Sequence, residues 1–308
     1  MRLKEIARRV LPPVAISAGK WLTKFGTPAS ATRIRLQYGQ FFLECDSSHH
    51  LPKILTALPN FGRNLADVVG TLETQEPRVI DVGANIGDTA ILLGRFVPRA
   101  KVLCIEGDSR FMPDLNCNTA QISGVTIAEA ILSDRCGQIS GAFVRENGTT
   151  HVALREGNDL LQVQTLDNLL TAYPAFTCPD IIKIDTDGFE PAILRGAQDV
   201  LASSKPVVFY EWHPDYYNVA GENDTSHADF LMELGYDNFM IFTNRGELLL
   251  HVRRPGHSIL ESLARFSRAR RRLDDWHFDV AAFPTERLDA CERLWCHYSK
   301  PSTALAGC

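Results

Sequence analysis

This sequence of 308 residues has little of what marks a zinc-binding, membrane-spanning or nucleic-acid-binding protein. Its eight cysteines stand singly with no Cys-x-x-Cys pair, which excludes the usual zinc and redox spacings. No apolar run reaches the length that spans a bilayer. The formal net charge is −5, so nucleic acid and anionic membranes meet no overall attractive field. The composition favours a globular protein with reduced cysteines, and we expect it in the cytoplasm without a nucleic-acid partner.

The opening segment MRLKEIARRVLPPVAISAGKWLTKF is basic and amphipathic, but Pro12 and Pro13 interrupt it. Helices of this kind either dock on their own domain or lie at a membrane surface, and both interpretations stay open. In the second case the protein would be peripheral at the inner face of the membrane.

From Arg78 onward, short β-branched runs alternate with longer helical segments, which indicates a parallel sheet covered by helices. Two alternating runs about Asn147-Gly148 predict a hairpin over residues 139–155, inserted into this order. We therefore predict a doubly wound, mostly parallel, Rossmann-like α/β fold over residues 78–285, with an N-terminal helical extension over 1–77 and a C-terminal tail over 286–308. The predicted core strands are RVIDVG, KVLCIEG, VTIAEAILS, DIIKIDTDGFE and PVVFYEWHP, followed by the late strand FDVAAFP.

Two of the predicted helices have definite limits. One begins near Asp108, which is a plausible N-cap. The other runs without a break through PAILRGAQDVLAS, with Pro191 in its first turn.

Acidic residues stand where the predicted strands end. Open parallel sheets bind ligands at that edge, so these acids are candidates for a site, although each taken singly could equally be a helix cap or a solvated loop residue. They are Asp81, Glu106, Asp185, Asp187 and Glu211.

The stretch VIDVGANIGDTAILLG joins a strand, an acid, a glycine turn and a helix start. A dinucleotide fingerprint would need glycine at positions 83, 85 and 88, where this chain has Gly83, Asn85 and Asp88. Asp81 suits a ligand with an ammonium group, and Glu106 at the end of the next strand can accept two hydrogen bonds from a ribose diol. An amino acid joined to a nucleoside is S-adenosylmethionine, which we predict as the cofactor.

Several segments of the chain resemble the FkbM family of S-adenosylmethionine-dependent methyltransferases. They are VIDVGANIGDTAILL, VLCIEGDSRFMPDLNCN, VQTLDNLL, IIKIDTDGFEPAILRGAQDVL and PVVFYEWHP. The resemblance is strong over about 79–215 and weaker to about 284. Many members carry KIDVEGFE, so Thr186-Asp187 is a departure, and it resembles a subset associated with glycan-modifying gene clusters.

The resemblance implies a class I methyltransferase domain over residues 78–285 and a role for individual residues in holding the methyl donor. The ribose is expected at Glu106. The adenine is expected along residues 130–132, which include Ile131, with Ser133-Asp134. The methionine moiety is expected against Asp81, Gly83, Asn85 and Gly87. Further residues expected to contact the cofactor are Ala84, Gly107 and Asp185.

Catalytic candidates follow from strand alternation. Asp185 and Asp187 share a face if the strand stays extended, and Glu211 and His213 repeat that spacing. We favour His213 as the general base because an imidazole titrates near neutrality, the alternative being a surface histidine held by the turn at the following proline. Lys183 is expected to face away from Asp185 and to serve in packing or pairing.

A second use of the acids is a divalent metal site. Asp185, Asp187 and Glu211 are oxygen ligands of the kind that Mg²⁺ or Mn²⁺ prefers, and a bound ion would lower the pKa of a substrate hydroxyl.

We expect an O-methyltransferase acting on a hydroxyl of a saccharide, nucleotide sugar or glycolipid. Aromatic and amide side chains after the fifth strand suit a sugar ring: Trp212, Tyr216, Tyr217, Asn218 and Asn223. The arginines 268 and 270–272 form a solvated helical face or dock an anionic acceptor. An O-methyltransferase of a polyketide or other natural product, and a non-catalytic binding module of the same fold, stay open as alternatives.

Overall fold

The computed structural model of the chain describes residues 33–146, 149–154, 160–270 and 276–300. The basic amphipathic N-terminal segment, the turn at Asn147-Gly148 and the arginines at 271 and 272 lie outside the described residues. Within the described ranges the chain forms fourteen strands, namely β1 (Arg33–Tyr38), β2 (Phe41–Asp46), β3 (Arg78–Val82), β4 (Lys101–Glu106), β5 (Val125–Glu129), β6 (Ile131–Leu132), β7 (Gly137–Glu146), β8 (Thr149–Leu154), β9 (Leu160–Gln164), β10 (Ile181–Ile184), β11 (Val207–Trp212), β12 (Tyr236–Thr243), β13 (Leu248–Arg253) and β14 (Phe278–Pro284).

The same ranges contain eleven α-helices. They are α1 (Leu51–Ala57), α2 (Arg63–Gly70), α3 (Asp88–Phe96), α4 (Met112–Thr119), α5 (Leu166–Leu170), α6 (Glu190–Arg195), α7 (Gln198–Ser204), α8 (Pro214–Val219), α9 (Ser226–Glu233), α10 (His257–Arg270) and α11 (Leu288–Tyr298). None of these described helices combines the length and the apolar composition needed to cross a bilayer.

Eight strands form one central sheet in the order β13-β12-β14-β11-β10-β3-β4-β5. The neighbouring strands β11, β10, β3, β4 and β5 pair with one another in parallel, whereas β14 pairs antiparallel with both β11 and β12. β10 is buried along its whole length, because helices cover both faces of a doubly wound sheet. The predicted doubly wound, mostly parallel α/β fold is confirmed, and the carboxyl ends of five strands meet at one edge.

Helices cover the two faces of this sheet with separate apolar clusters. Side chains of α2, α3 and α11 pack against the face that carries Val79 and Phe209. Side chains of α5 to α10 pack against the opposite face, which carries Ile80 and Tyr210. Residues two apart on a strand therefore belong to one cluster, as the pleat requires.

A smaller sheet in the order β6-β9-β7-β8 contains the predicted hairpin. β7 and β8 pair antiparallel up to Glu146 and Thr149. The side chain of Thr150 donates a hydrogen bond to Asp108, at 3.1 Å, so this insertion contacts the loop that follows β4.

Residues 33–77 pack on the start of the α/β domain. β1 and β2 pair as an antiparallel hairpin, so the described part of the extension holds a hairpin as well as helices α1 and α2. Leu43 and Leu51 of this segment contact Ile86 and Ile91, which belong to the glycine loop and α3.

Two predicted helix limits are wrong. The helix expected to begin near Asp108 begins at Met112, and Asp108 instead accepts a hydrogen bond from the backbone N–H of Arg110. The helix expected to run unbroken from Pro191 divides into α6 and α7 about Gly196. The α11 helix lies within the predicted C-terminal tail and buries Leu294 in the core, while the domain boundaries themselves stay a prediction.

Candidate active site

The loop between β3 and α3 is held tightly against the neighbouring strands. The backbone N–H groups of Gly83 and Ala84 both donate to the carbonyl oxygen of Ile105, at 3.0 Å. Gly83 has a φ of +81°, and a Cβ there would lie 1.8 Å from the carbonyl oxygen of Asp185. Only glycine permits this approach, so the predicted turn is fixed by its contact with the end of β10.

Glu106 ends β4 with its carboxylate turned toward this loop. One oxygen accepts the backbone N–H of Asn85 at 2.8 Å, and the other accepts the backbone N–H of Asp108 at 2.7 Å. Burial raises the pKa of Glu106, and these hydrogen bonds act in the opposite direction. A carboxylate has four acceptor positions, and the backbone N–H of Gly107 also bonds to this one, so capacity for a further hydrogen bond from a ligand hydroxyl remains.

The residues expected near the adenine lie in different surroundings. Gly107 lies against Ile131, since a Cβ at Gly107 would be 2.9 Å from the Cγ1 of Ile131. The carboxylate of Asp134 instead lies 3.6 Å from Nη2 of Arg195. The structure thus brings Ile131 beside the end of β4, whereas Asp134 pairs with an arginine.

A buried ion-pair network lies beside the glycine loop. Nζ of Lys183 lies 3.0 Å from Oδ1 of Asp81 and 3.3 Å from Oδ2 of Asp185. The expectation that Lys183 faces away from Asp185 is wrong, because residues two apart on a strand share a face. Asp81 is 0% exposed, so the ammonium group that it meets is that of Lys183.

The charges in this network control its protonation. Burial lowers the pKa of Lys183, but the carboxylates of Asp185 and Asp81 outweigh it, so the net pKa is raised and the lysine stays charged. Burial raises the pKa of Asp81, and Lys183 acts against that increase.

The turn from Asp185 to Glu190 departs from the predicted extended geometry. β10 ends at Ile184, and Asp187 has a φ of +54°, so the two aspartates do not continue one strand face. The carboxylate of Glu190 holds the turn by accepting the backbone N–H groups of Thr186 and Gly188 at 2.6 and 3.0 Å. Burial raises the pKa of Glu190 to about 7.

The acids do not assemble as a metal centre. Within the described ranges, no group of three or more His, Cys, Asp or Glu side chains is arranged to hold a metal ion. The predicted set of Asp185, Asp187 and Glu211 fails because the first pairs with Lys183 and the second leaves the strand direction in the turn.

A cleft of about 90 Å³ opens beside this network, between α2 and the carboxyl edge of the sheet. Oε2 of Glu211 lies 3.5 Å from Nε2 of His277, and Asn64 donates a hydrogen bond of 2.7 Å to Asp279. The register pairs Glu211 with Asp279, which brings the start of β14 to the end of β11. Polar residues that line the cleft are Asn64, Asp88, Lys183, Asp185, Glu211, Asn244, His277 and Asp279.

Burial dominates the protonation of the acids in the cleft. It raises the pKa of Asp279 to about 7, although the hydrogen bond from Asn64 opposes this. It raises the pKa of Glu211 well above its ordinary value, and nearby carboxylates including Asp185 and Asp187 raise it further. The uncharged forms of these two acids are therefore favoured.

His213 lies near this cleft but is enclosed. Its side chain is 3% exposed, and its ring stacks on that of Tyr216 with centroids 3.9 Å apart. The ring of His277 lies 6.1 Å away and lines the cleft directly. Sequence reasoning missed His277, for which the only signal was that it and Asp279 occupy alternating positions at a predicted strand.

The aromatic residues predicted for the acceptor have other roles. Trp212 and Tyr217 are fully buried and contact His227 at centroid distances of 5.0 and 5.4 Å, so they belong to the core. Asn223 accepts hydrogen bonds from the backbone at the start of α9. Arg268 is paired with Asp224, at 2.6 Å.

The N-terminal segment also contacts the glycine loop. Nδ1 of His49 accepts the backbone N–H of Leu51 at 3.1 Å, which places the proton of a neutral ring on Nε2. Nε2 lies 3.2 Å from Oδ1 of Asn85, so a residue outside the α/β domain positions the loop side chain.

The chain has relatives among known proteins. Residues 81–238, just over half of its length, match the methyltransferase FkbM domain. The 2-O-methyltransferase NoeI of Sinorhizobium fredii (strain NBRC 101917 / NGR234) is 23% identical over 166 residues, covering 45% of this chain and 64% of the relative. The match thus spans less than two thirds of that relative's length.

The chain is also similar to proteins of solved structure. The methyltransferase FkbM of Methylobacillus flagellatus KT is 17% identical with a TM-score of 0.43, and the match covers 71% of this chain and 48% of that one. M. jannaschii TYW2 in complex with AdoMet is 12% identical with a TM-score of 0.40, over 82% and 86% of the two chains. The glycine loop and Glu106 lie within the matched domain, whereas Asn64, His277 and Asp279 lie outside it.

Proposed function

Because the chain belongs to the FkbM methyltransferase family, we propose that it transfers a methyl group from S-adenosylmethionine to a hydroxyl group of a sugar or glycoconjugate. The donor is supported above all by the carboxylate of Glu106, which faces the glycine loop and keeps capacity for a further hydrogen bond. The hydroxyl acceptor is supported by the relative that is named a 2-O-methyltransferase. Polar side chains beside a largely apolar wall in the adjoining cleft suit the hydroxyls and the C–H face of a sugar.

The residues at the ends of β3 and β4 fit the donor. Glu106 would hold the ribose, and the loop from Gly83 to Gly87 would lie along the methionine moiety. When bound, S-adenosylmethionine supplies an electrophilic methyl group on a positively charged sulfur. The protein's own tasks are then to align the acceptor hydroxyl and to accept its proton.

We assign the proton to Nε2 of His277 rather than to His213. In this role Nε2, which lies 3.5 Å from Oε2 of Glu211, would accept the proton that the acceptor hydroxyl gives up. His213 is enclosed by Tyr216 and has less access to an acceptor.

Calorimetry with S-adenosylmethionine tests the donor. We expect Glu106→Ala to weaken binding by about 1.5–3 kcal/mol, the range for hydrogen bonds to a charged group. Glu129→Ala is the matched control, because Glu129 is the exposed partner of Glu106 in the register of β4 and β5. Equal binding by wild type and Glu106→Ala would contradict the assignment.

Transfer of a labelled methyl group to free, nucleotide-linked and lipid-linked sugars tests the acceptor. With a saccharide that is methylated, we expect His277→Asn to lower kcat about 10²–10⁴-fold. His257→Asn is the control, since His257 is an exposed histidine that pairs with Asp229 at 2.8 Å. A larger loss in His213→Asn than in His277→Asn would reverse the assignment of the base.

A further inference from the structure

We propose that the acceptor binds in the cleft between α2, the end of β11 and the start of β14, and that Asn64 and Asp279 recognise vicinal hydroxyl groups of an uncharged ring. This inference rests on the methyltransferase function proposed above. It adds the place of the acceptor and the class of ring that the site takes.

The strand order supports this location. Glu106 ends β4, which lies on one side of β3, whereas β10, β11 and β14 lie on the other side in that order. A donor whose ribose is held at β4 and whose methionine follows the loop after β3 presents its methyl group toward β10. The cleft begins there at Asp185 and extends to Asp279, so it lies where an acceptor must approach.

The pair of Asn64 and Asp279 offers both kinds of hydrogen-bonding group. Nδ2 of Asn64 donates to Oδ2 of Asp279 at 2.7 Å, and both residues line the cleft. An amide nitrogen carries two hydrogens and a carboxylate has four acceptor positions, so the pair retains a donor and acceptors after this bond. Neighbouring hydroxyls on a ring present the same alternation of donors and acceptors, which makes the pair suited to a diol.

The cleft disfavours an anionic ring. Asp88, Asp185, Glu211 and Asp279 line it, and the one lysine among the described residues of its wall, Lys183, is already shared between Asp81 and Asp185. Burial raises the pKa of Glu211 and of Asp279, so the site already disfavours negative charge, and a uronate or a phosphate placed here would meet the same penalty. The reacting ring is therefore neutral, whatever charge is carried by more distant parts of the acceptor.

The size of the cleft sets a further limit. Its volume of about 90 Å³ is well below the roughly 300–1,000 Å³ of pockets that enclose a drug-sized molecule. One edge of a sugar ring can enter while the remainder stays outside, with Tyr38 and Phe61 on the apolar wall. A macrocycle that must be enclosed would not be accommodated.

Kinetics with matched glycosides test the proposal. We expect methyl glucoside, or another neutral glycoside that the panel shows to be methylated, to react at least about tenfold better in kcat/KM than the corresponding uronide. Asn64→Asp should raise the acceptor KM about tenfold or more while the Kd for S-adenosylmethionine changes less than about twofold. Asn116→Asp, at an exposed amide on α4, is the control and should leave both constants unchanged.

A double exchange separates recognition from structure. Asn64→Asp combined with Asp279→Asn restores a donor and an acceptor across the pair and should restore thermal stability. If the pair only supported the fold, the acceptor KM would recover as well, and the proposal would be overturned. We expect the KM to stay raised, because the groups offered to the ring are reversed.

A binding measurement keeps this proposal distinct from the proposed function. In the complex with S-adenosylhomocysteine, methyl glucoside should shift the side-chain amide resonances of Asn64 but not those of Asn116. If no saccharide is methylated, the proposed function fails, and this experiment still decides whether the cleft binds a neutral ring. An unshifted Asn64, or an Asn64→Asp variant that weakens donor binding as much as acceptor binding, would overturn the acceptor site.

Discussion

Gly83 is the residue at which local backbone geometry and the site depend most directly on each other. We expect Gly83→Ala to lower the free energy of unfolding by about 2–4 kcal/mol, because a Cβ would meet the carbonyl oxygen of Asp185 at 1.8 Å in addition to the cost of its φ of +81°.

Gly221 provides a matched control for this change. Its φ is +80°, and nothing lies within 4 Å of the position that a Cβ would take, so Gly221→Ala should lose only about 1–2 kcal/mol. Chemical denaturation measures both variants. Equal losses would mean that backbone strain alone, and not the contact with β10, requires glycine at position 83.

Glu190 makes stability depend on pH. Its folded pKa of about 7 lies above the ordinary value of 4.5, so the folded state holds a proton that the unfolded state releases between these values. Its contribution is complete below about pH 4.5 and is lost as the pH rises through 7, with a slope that approaches about 1.4 kcal/mol per pH unit.

Denaturation at a series of pH values checks this prediction. Glu190→Gln should flatten the decline between pH 5 and 7.5, even though it weakens the turn at every pH by disturbing the bonds to Thr186 and Gly188. The exposed Glu129→Gln should keep the wild-type slope. An unchanged slope in Glu190→Gln would assign the pH dependence to other carboxyls.

The residues that sequence could predict are those whose role depends on near neighbours. The order of Asp81, Gly83 and Glu106 at successive strand ends follows from local patterns, and the structure places all three beside one loop. His277 and Asp279 could not be found in this way, because only the pairing of β14 with β11 brings them to Glu211.

At the scale of elements, α4 connects the N-terminal hairpin to the glycine loop through one side chain. Asn118 donates to the carbonyl oxygens of Glu44 and Ile86 at 3.0 and 2.8 Å, and it accepts the N–H of Glu44 at 2.8 Å. We expect Asn118→Ala to cost about 2–4 kcal/mol, because it leaves several backbone groups without partners.

The same helix supplies the control for Asn118. Asn116 is exposed and bonds only one turn back, to the carbonyl of Met112, so Asn116→Ala should be close to neutral. Hydrogen exchange should show faster exchange at Glu44 in Asn118→Ala but not in Asn116→Ala. A loss of stability without faster exchange in β2 would contradict the proposed role of Asn118 in connecting the N-terminal hairpin to the glycine loop.

The break between α6 and α7 shows why the spacing of apolar residues does not predict where a helix ends. The apolar spacing through PAILRGAQDVLAS is continuous, but Gly196 lies against the backbone of Ser133, where a Cβ would be 2.1 Å from the carbonyl oxygen. That contact comes from a distant part of the chain, so the local pattern holds no sign of it. The sheet, by contrast, follows from its apolar runs.

At the scale of the whole molecule, α11 tests where the folded unit ends. Leu294 is fully buried in the cluster beneath α2 and α3, although it lies in the segment predicted to be a tail. We expect Leu294→Ala to cost about 2–5 kcal/mol, as for other buried leucines.

Leu288 offers the same substitution on the same helix in an exposed setting. It is 41% exposed, so Leu288→Ala should stay within about 1 kcal/mol of the wild type. Thermal or chemical denaturation compares the two. Equal small effects would place the end of the folded unit before α11.

The position of β14 has a consequence for how the protein is made. This strand lies inside the sheet between β11 and β12, yet residues 278–284 are synthesised after every other strand that the structure describes. Until they leave the ribosome, β11 and β12 each present an unpaired edge, which is a template for pairing with other chains. A nascent chain that stalls before this point thus carries a gap through the middle of its sheet, and we expect it to depend on chaperones more than a chain whose last strand lies at an edge.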